Sequence, residues 1–139
     1  MICILTGGKT LTLAAAAFTL SWTHSVEKTR WAEHWVATPA GLKVTQGSVE
    51  GSGAGMEPPP DAVLKDGAYV YTPHLPVIPD LILAASGATV GGWTLCPLTR
   101  DGGSAGACLT LGKSRGAPIH LRSCAPPAAG SEETAGMAR

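Results

Sequence analysis

Residues 17–38 read AFTLSWTHSVEKTRWAEHWVAT and contain two alternating segments joined by a short link. In residues 17–25, bulky side chains alternate with hydroxyl-bearing ones, and in residues 30–38 the tryptophans and a glutamate share one parity. A period of two, rich in aromatic and β-branched residues, is typical of a strand that buries one face. The link Val26–Thr29 has four residues, which is a common hairpin length. The pattern therefore predicts two adjacent antiparallel strands.

Shorter runs of alternating or β-branched residues predict further strands elsewhere in the chain. These runs are Ile2–Leu5, residues 10–14, Leu42–Gln46, Ala68–Thr72, Leu81–Ala84, Trp93–Cys96 and Pro118–Cys124. Glycine and proline, with 18 and 11 residues, separate the runs because neither continues a strand well. We therefore predict an all-β, mostly antiparallel fold, a small sandwich or partly open barrel, as a single domain over residues 1–124. Residues 125–139 are mainly small or polar and are predicted to be a disordered tail.

The charge balance argues against nucleic acid as a partner. Lys and Arg number 10, as do Asp and Glu, so the formal net charge is zero, whereas nucleic-acid-binding proteins need a basic surplus.

No apolar run reaches the roughly 18 residues of a membrane-spanning helix, so no transmembrane segment is expected. Residues 10–20 resemble the apolar part of an export signal, but Lys9 is the only basic residue before them. No clear signal peptide is therefore predicted.

The four cysteines, Cys3, Cys96, Cys108 and Cys124, contain no CxxC pair, which argues against a zinc ribbon or a thioredoxin-type redox motif. In an oxidising compartment they would form two disulfides, and in the cytosol they would be four thiols. Three connectivities are open. If the protein is exported, we expect Cys96–Cys108 to close a glycine-rich loop and Cys3–Cys124 to join the terminal strands.

The other short motifs do not match known phosphate-binding, nucleotide-binding or metal-binding patterns. Gly8-Lys9-Thr10 lacks the earlier glycine and the following helix of a phosphate-binding loop, and the glycines at 51, 53 and 55 lead into three prolines rather than a helix. The histidines and aspartates lack metal-ligand or calcium-loop spacing. The sequence thus predicts no catalytic residue, no metal and no cofactor.

Glu33 is the notable polar residue, because it shares a strand face with Trp31 and Trp35. A hairpin with the four-residue link would place Trp22 opposite Glu33, and His24 as its diagonal neighbour within side-chain reach. A carboxylate among aromatic rings is partly desolvated and needs a partner, for which His24 is the candidate. Two interpretations stay open: a structural pair that fixes the register, or the polar end of a small pocket.

The glycine loop Gly53–Met56 is expected at the same end of the domain. In a meander the strand Leu42–Gln46 runs antiparallel to 30–38, so its exit returns to the end that carries the 26–29 turn. Backbone N–H groups of that loop would there face a small anionic ligand, with His24 as a switchable charge.

Several of these features together resemble a bacterial family called domain of unknown function 1850. They are Phe18–Thr29, then Glu33, then Ser52–Pro58 with its Gly-Ala-Gly-Met loop, and the Asp66-Gly67 turn. The resemblance covers about residues 2 to 96, and beyond residue 98 little more than Cys108 and a strand ending in Cys124 matches.

The resemblance implies an accessory role in solute uptake in the periplasm or elsewhere outside the cytoplasm, because genes of the family often lie beside tripartite transporter genes of the TAXI type. The implied partners are a transporter permease or a solute-binding protein. The candidate binding residues are His24, Ser25, Glu27, Glu33, Gly53, Gly55 and Met56. The alternative function is a small enzyme or ligand-handling domain that uses His24 and Glu33 as an acid–base pair.

Overall fold

The computed structural model describes residues 1–24, 29–50, 61–85 and 89–124, with only the backbone described for His24, Thr89 and Val90. These residues form strands and no helix. The strands are β1 (Ile2–Thr6), β2 (Lys9–Leu13), β3 (Ala17–His24), β4 (Arg30–Thr38), β5 (Gly41–Glu50), β6 (Val63–Lys65), β7 (Ala68–Tyr71), β8 (Leu81–Leu83), β9 (Thr89–Leu98), β10 (Leu109–Leu111) and β11 (Ile119–Ser123). The predicted tail, 125–139, lies outside the described residues.

The strands form two antiparallel sheets that are not closed into a barrel. One has four strands in the order β2-β1-β11-β8, and the other has seven in the order β10-β9-β3-β4-β5-β7-β6. Every strand pair is antiparallel. The prediction of an all-β, mostly antiparallel fold is confirmed.

Both sheets contribute to one hydrophobic core. The four-stranded sheet supplies Ile2, Ile4, Ile119 and Leu121, and the seven-stranded sheet supplies Phe18, Leu20, Trp35, Leu42, Val44 and Leu95, all nearly inaccessible to solvent. Phe18 and Trp35 are register partners on β3 and β4, and their rings stack with centroids 6.4 Å apart. Burying such side chains contributes roughly 1.5–3 kcal/mol each. The alternating positions of β3 and β4 therefore hold the two sheets together.

The hairpin of β3 and β4 is present, but its register differs from the predicted one. Trp22 pairs with Trp31 and Leu20 pairs with Glu33, whereas we expected Trp22 opposite Glu33. The change is two residues, so every side chain keeps its predicted face. Direct pairing places the Trp22 and Trp31 rings parallel, with centroids 6.4 Å apart, and aromatic cross-strand pairs stabilise a register.

The structure also contains strands that the pattern did not reveal. β6 and β10 have three residues each, too few to show a period. β9 begins at Thr89, before the predicted start at Trp93, and it passes through Gly91 and Gly92, which interrupt its hydrophobic pattern. Tertiary pairing with β3 determines this part of β9.

Both disulfides expected for an exported protein are present, Cys3–Cys124 and Cys96–Cys108. Cys3 lies within β1, opposite Arg122 of β11, and Cys124 follows the last residue of β11, so the first bond joins the two terminal strands. The described residues contain no helix long and apolar enough to cross a bilayer.

Candidate functional site

The structure describes only part of the predicted site. Glu33 lies in the middle of β4, and His24 is the last residue of β3. Ser25, Glu27, Gly53, Gly55 and Met56 lie outside the described residues.

The predicted register, which made His24 the diagonal cross-strand neighbour of Glu33, is wrong. Glu33 pairs with Leu20, four residues before His24 on the same strand. At about 3.3 Å per residue, the two backbone positions are roughly 13 Å apart. The cause is the two-residue change of register, which kept both residues on one face but moved them apart along it. The pair is therefore not a diagonal cross-strand pair.

Trp35 is the hydrogen-bonding partner of the Glu33 carboxylate. The indole Nε1–H of Trp35 donates to Glu33 Oε1 at 3.0 Å. The two residues are two positions apart on β4 and point to the same face. Burial raises the pKa of Glu33 above its ordinary 4.5, and the hydrogen bond from Trp35 opposes part of that rise. An indole offers a single donor, so most of the acceptor capacity of the carboxylate is left for other donors.

Tyr71 is the aromatic neighbour of Glu33 across β5. Gly47 pairs with Glu33 on one side and with Tyr71 on the other. A Cβ atom on Gly47 would lie 2.6 Å from the Tyr71 ring, so the ring covers the glycine. Burial and the negative charge of Glu33 both raise the pKa of Tyr71 above 10.0. The absent side chain at position 47 lets the phenol approach the carboxylate.

Three half-buried tryptophans extend the same surface toward the end of the sheet where β3 ends and β4 begins. Trp22 stacks on Trp31 and meets Trp93 of β9 with ring centroids 5.0 Å apart and planes tilted by 53°. The Trp93 indole N–H donates to the carbonyl of Ala84 at 3.0 Å. We call Trp22, Trp31, Glu33, Tyr71 and Trp93 the aromatic–carboxylate surface. It offers flat apolar area beside a carboxylate.

Sequence reasoning found Glu33 and its tryptophans on β4 but missed Gly47, Tyr71 and Trp93 as neighbours. β5 and β7 are separated by a long connection, and β9 is distant from β3 in the chain, so their alignment leaves no local pattern. The Gly47 position was the one available signal, since a glycine inside a strand often marks a close approach.

The strand connections agree with the predicted meander. β5 pairs with β4 so that Val49 lies opposite Trp31, and β5 ends at the next residue. The exit of β5 therefore lies at the same end of the sheet as the β3–β4 link, as predicted. The glycine loop that follows lies outside the described residues.

Cavities of about 700 and about 480 Å³ lie at the opposite end of the sheet, beside the β4–β5 turn. They share Ala16, Ala37, Thr38, Pro39, Thr99 and Arg100. Glu33, the candidate binding residue whose side chain the structure describes, does not line them. Within the described residues, no group of three or more His, Cys, Asp or Glu side chains is arranged to hold a metal ion.

Comparison with known proteins gives one relationship. No curated protein and no solved structure matches the chain significantly. The model of the family described as Domain of unknown function (DUF1850) matches residues 18–101. The match begins at Phe18, a core residue of β3, includes the whole of the aromatic–carboxylate surface and covers more than half of the 139 residues. The chain belongs to the DUF1850 family.

Proposed function

We propose that the protein is a non-enzymatic accessory or binding protein that works outside the cytoplasmic membrane beside a tripartite solute transporter of the TAXI type. Membership of the family supports this role, because genes of its members often lie beside genes of TAXI-type transporters. The two disulfides, Cys3–Cys124 and Cys96–Cys108, suit an oxidising compartment. Its partner is a permease or a solute-binding protein of the transporter.

The aromatic–carboxylate surface is the observation that carries the binding role. Tryptophan and tyrosine are enriched where proteins contact partners or ligands, because they supply large, rigid contact area. Here three partly buried indoles contact one another, and one of them, Trp31, lies two residues before Glu33, a carboxylate whose hydrogen-bond donor is Trp35. A partner that stacks on Trp31 and donates to the free lone pairs of Glu33 fits this chemistry.

Acid–base catalysis by His24 and Glu33 is the alternative function. Its geometric basis was a register with Trp22 opposite Glu33, whereas Leu20 lies opposite Glu33. A general base must lie within hydrogen-bond reach of the proton that it transfers. The described residues therefore give the binding role better support than the enzymatic one.

Transport in cells tests the proposal. In an organism whose gene for this protein adjoins a TAXI-type permease gene, deletion is expected to lower uptake of the solute of that transporter. Wild-type protein is expected to restore uptake, and Glu33→Gln to restore it less well. Asp66→Asn, a change of an exposed carboxylate in the β6–β7 turn, is the matched control and is expected to restore it fully.

The mass of the native assembly gives an independent measurement. Tagged protein isolated from membranes in mild detergent is expected to carry a transporter subunit, identified by peptide sequencing. Normal uptake after deletion, together with no transporter subunit in the assembly, would contradict the proposed function.

A further inference from the structure

We infer that the outer face of the seven-stranded sheet carries a site for the oxyanion group of a small solute, a carboxylate or a phosphate, centred on Arg30. The inference goes beyond the proposed binding surface, because it places a second site on the face of the sheet opposite to the one that carries Glu33 and its neighbouring tryptophans. The site is a small cavity of about 170 Å³. Among the described residues, it is lined by Ser21, Thr23 and Thr94, by Arg30, by Gly91 and Gly92, and by Trp22.

Strand alternation brings the polar side chains together. Ser21 and Thr23 lie on the face of β3 opposite to Trp22, Thr94 of β9 pairs with Ser21, and Arg30 of β4 pairs with Thr23. The guanidinium Nη2 of Arg30 donates to the hydroxyl of Ser21 at 3.1 Å. Ser21 is 94% buried, since its exposed fraction is 6%. The buried hydroxyl thus orients the cation toward the cavity.

An irregularity in β9 forms the other wall. The β3–β9 register jumps from Ser21–Thr94 to Thr23–Val90, so three residues of β9 lie opposite Trp22 alone. Gly91 and Gly92 adopt φ of 79° and 78°, the left-handed region that favours glycine. The extra residues leave the regular ladder, which frees backbone N–H groups to bind elsewhere.

The two glycines serve different purposes. A Cβ atom on Gly92 would lie 2.6 Å from the carbonyl oxygen of Leu111, so close packing of β10 requires glycine there. A Cβ atom on Gly91 would meet nothing within 4 Å, so that position faces open space. The absence of a side chain at Gly91 keeps the mouth of the cavity open.

The chemistry of the lining selects an oxyanion. A guanidinium presents a planar set of donors that matches the two oxygens of a carboxylate or phosphate. Three hydroxyl groups add donors, and the lining residues that the structure describes include no carboxylate. The volume is below the roughly 300 Å³ of a whole-ligand pocket, so the site holds the charged group while the rest of the solute lies outside.

Among the described residues, Glu50 is an acidic neighbour that could compete for Arg30. It follows Val49, which pairs with Trp31, and so lies across β4–β5 from Arg30. In the described part of the chain the guanidinium bonds Ser21 rather than Glu50. Removing that negative charge with Glu50→Gln is expected to strengthen oxyanion binding.

Titration of the isolated, isotope-labelled protein with acetate and with inorganic phosphate, each against sodium chloride at equal ionic strength, tests the site. We expect saturable shifts of the Gly91 and Gly92 amide resonances and of the Arg30 side chain. Arg30→Gln is expected to weaken binding at least about tenfold, because a hydrogen bond to a charged group is lost. Thr94→Val is expected to weaken it less, and Arg100→Gln, at the opposite end of the sheet, is the control.

The comparison of acetate with phosphate identifies which oxyanion the site prefers. Shifts that fail to saturate, that chloride reproduces, or that persist unchanged in Arg30→Gln would overturn the site. If Arg30→Gln does not fold, as judged by its amide spectrum, Thr94→Val decides in its place. No transporter is present in this experiment, so a negative result removes the oxyanion site and leaves the transporter-linked role to its own test.

Discussion

Two opposing effects act on the carboxylate of Glu33: burial disfavours its charged form, and a hydrogen bond favours it. Its carboxylate accepts one indole hydrogen bond, yet burial raises its pKa above 4.5. Below pH 4.5 the group is protonated in both the folded and the unfolded chain and has no effect on pH dependence. As the pH rises from 4.5 through the folded pKa, the unfolded chain loses its proton first, and the free energy of unfolding falls.

Replacing this carboxylate is therefore expected to change stability in a pH-dependent way. Glu33→Gln keeps an acceptor for the Trp35 indole but does not titrate. Relative to wild type, its free energy of unfolding should increase between pH 4.5 and pH 7, measured by denaturant unfolding at several pH values. Asp66→Asn is the control, and a Glu33→Gln difference that stays constant with pH would contradict the assigned desolvation.

Tyr71 offers a spectroscopic measure of the same carboxylate. Burial is the larger cause of its raised pKa, and the charge of Glu33 is the smaller. In Glu33→Gln the pKa of Tyr71 is expected to fall yet to stay above 10.0. Titration of ring-labelled tyrosine by NMR would resolve it from Tyr69. An unchanged Tyr71 pKa would mean that the negative charge of Glu33 does not act on the Tyr71 phenol.

Gly47 tests the packing that brings the phenol to Glu33. Gly47→Ala places a methyl group 2.6 Å from the Tyr71 ring. The ring is expected to swing outward, which lowers its pKa toward 10.0 and destabilises the fold by about 1 kcal/mol. In a Tyr71→Ala background the same change should cost less, because the ring is absent. Equal costs in both backgrounds, measured as a double-mutant cycle, would contradict the contact.

The sequence correctly predicted which face of the sheet each side chain of β3 and β4 occupies, but not how far apart residues on the two strands lie. Alternation correctly put Trp22, Trp31 and Glu33 on one side of the sheet, because a side-chain period of two is a local property. The separation of His24 from Glu33 depends on which residues pair across the strands. A two-residue change of register leaves the hydrophobic pattern intact, so the sequence could not choose between the registers.

At the scale of elements, Asp80 links the short strand β8 to its neighbour β11. Its carboxylate accepts from the Nδ1–H of His120 at 2.9 Å and from the Nε–H of Arg122 at 3.2 Å. Partial burial would raise the pKa of Asp80, but the hydrogen bonds and positive charges of Arg122 and His120 outweigh it and hold the pKa below 3.8. β8 has three residues, so side-chain contacts supplement a short ladder.

Asp80→Asn is expected to lower the free energy of unfolding at pH 7 by about 1 kcal/mol or less, as is usual for ion pairs near the surface. Because the folded pKa is lowered, the stabilisation is present above pH 3.8 and disappears as the pH falls through the folded pKa. The wild-type and Asp80→Asn unfolding curves should therefore converge in acid. A difference that persists unchanged at the lowest pH would contradict the ion-pair origin.

A strand could be predicted from the sequence when its own residues carried a clear alternating pattern. β3 and β4 were predictable because the alternation, the aromatic residues and the link lie within 22 consecutive residues, 17–38. β6 and β10 are three residues long, and β10 exists because it pairs with β9 beside Gly92. Their conformation follows from tertiary neighbours rather than from their own composition.

At the scale of the whole molecule, the order of strands joins distant parts of the chain. β9 lies beside β3, and β11 lies beside β1, although long stretches of sequence separate them. Such pairings require closure of long loops before any contact forms. The expectation that Cys3 and Cys124 join the terminal strands was the one sequence argument that reached this scale, and β1 and β11 are indeed neighbours.

The two disulfides are expected to contribute unequally to global stability. Cys3 and Cys124 are 121 residues apart, whereas Cys96 and Cys108 are 12 apart. In the chain-entropy account, the longer loop constrains the unfolded state more, which gives about 5 kcal/mol against about 3 kcal/mol. Replacing each pair of cysteines by serines and measuring denaturant unfolding should therefore show the larger loss of unfolding free energy for the terminal pair.

Because the terminal pair also holds β1 against β11, its removal should expose the amides of both strands to hydrogen exchange, while those of β3 and β4 stay protected. A larger loss on removing Cys96–Cys108 would mean that the glycine-rich segment between these cysteines, rather than the joined terminal strands, determines how firmly the sandwich is held.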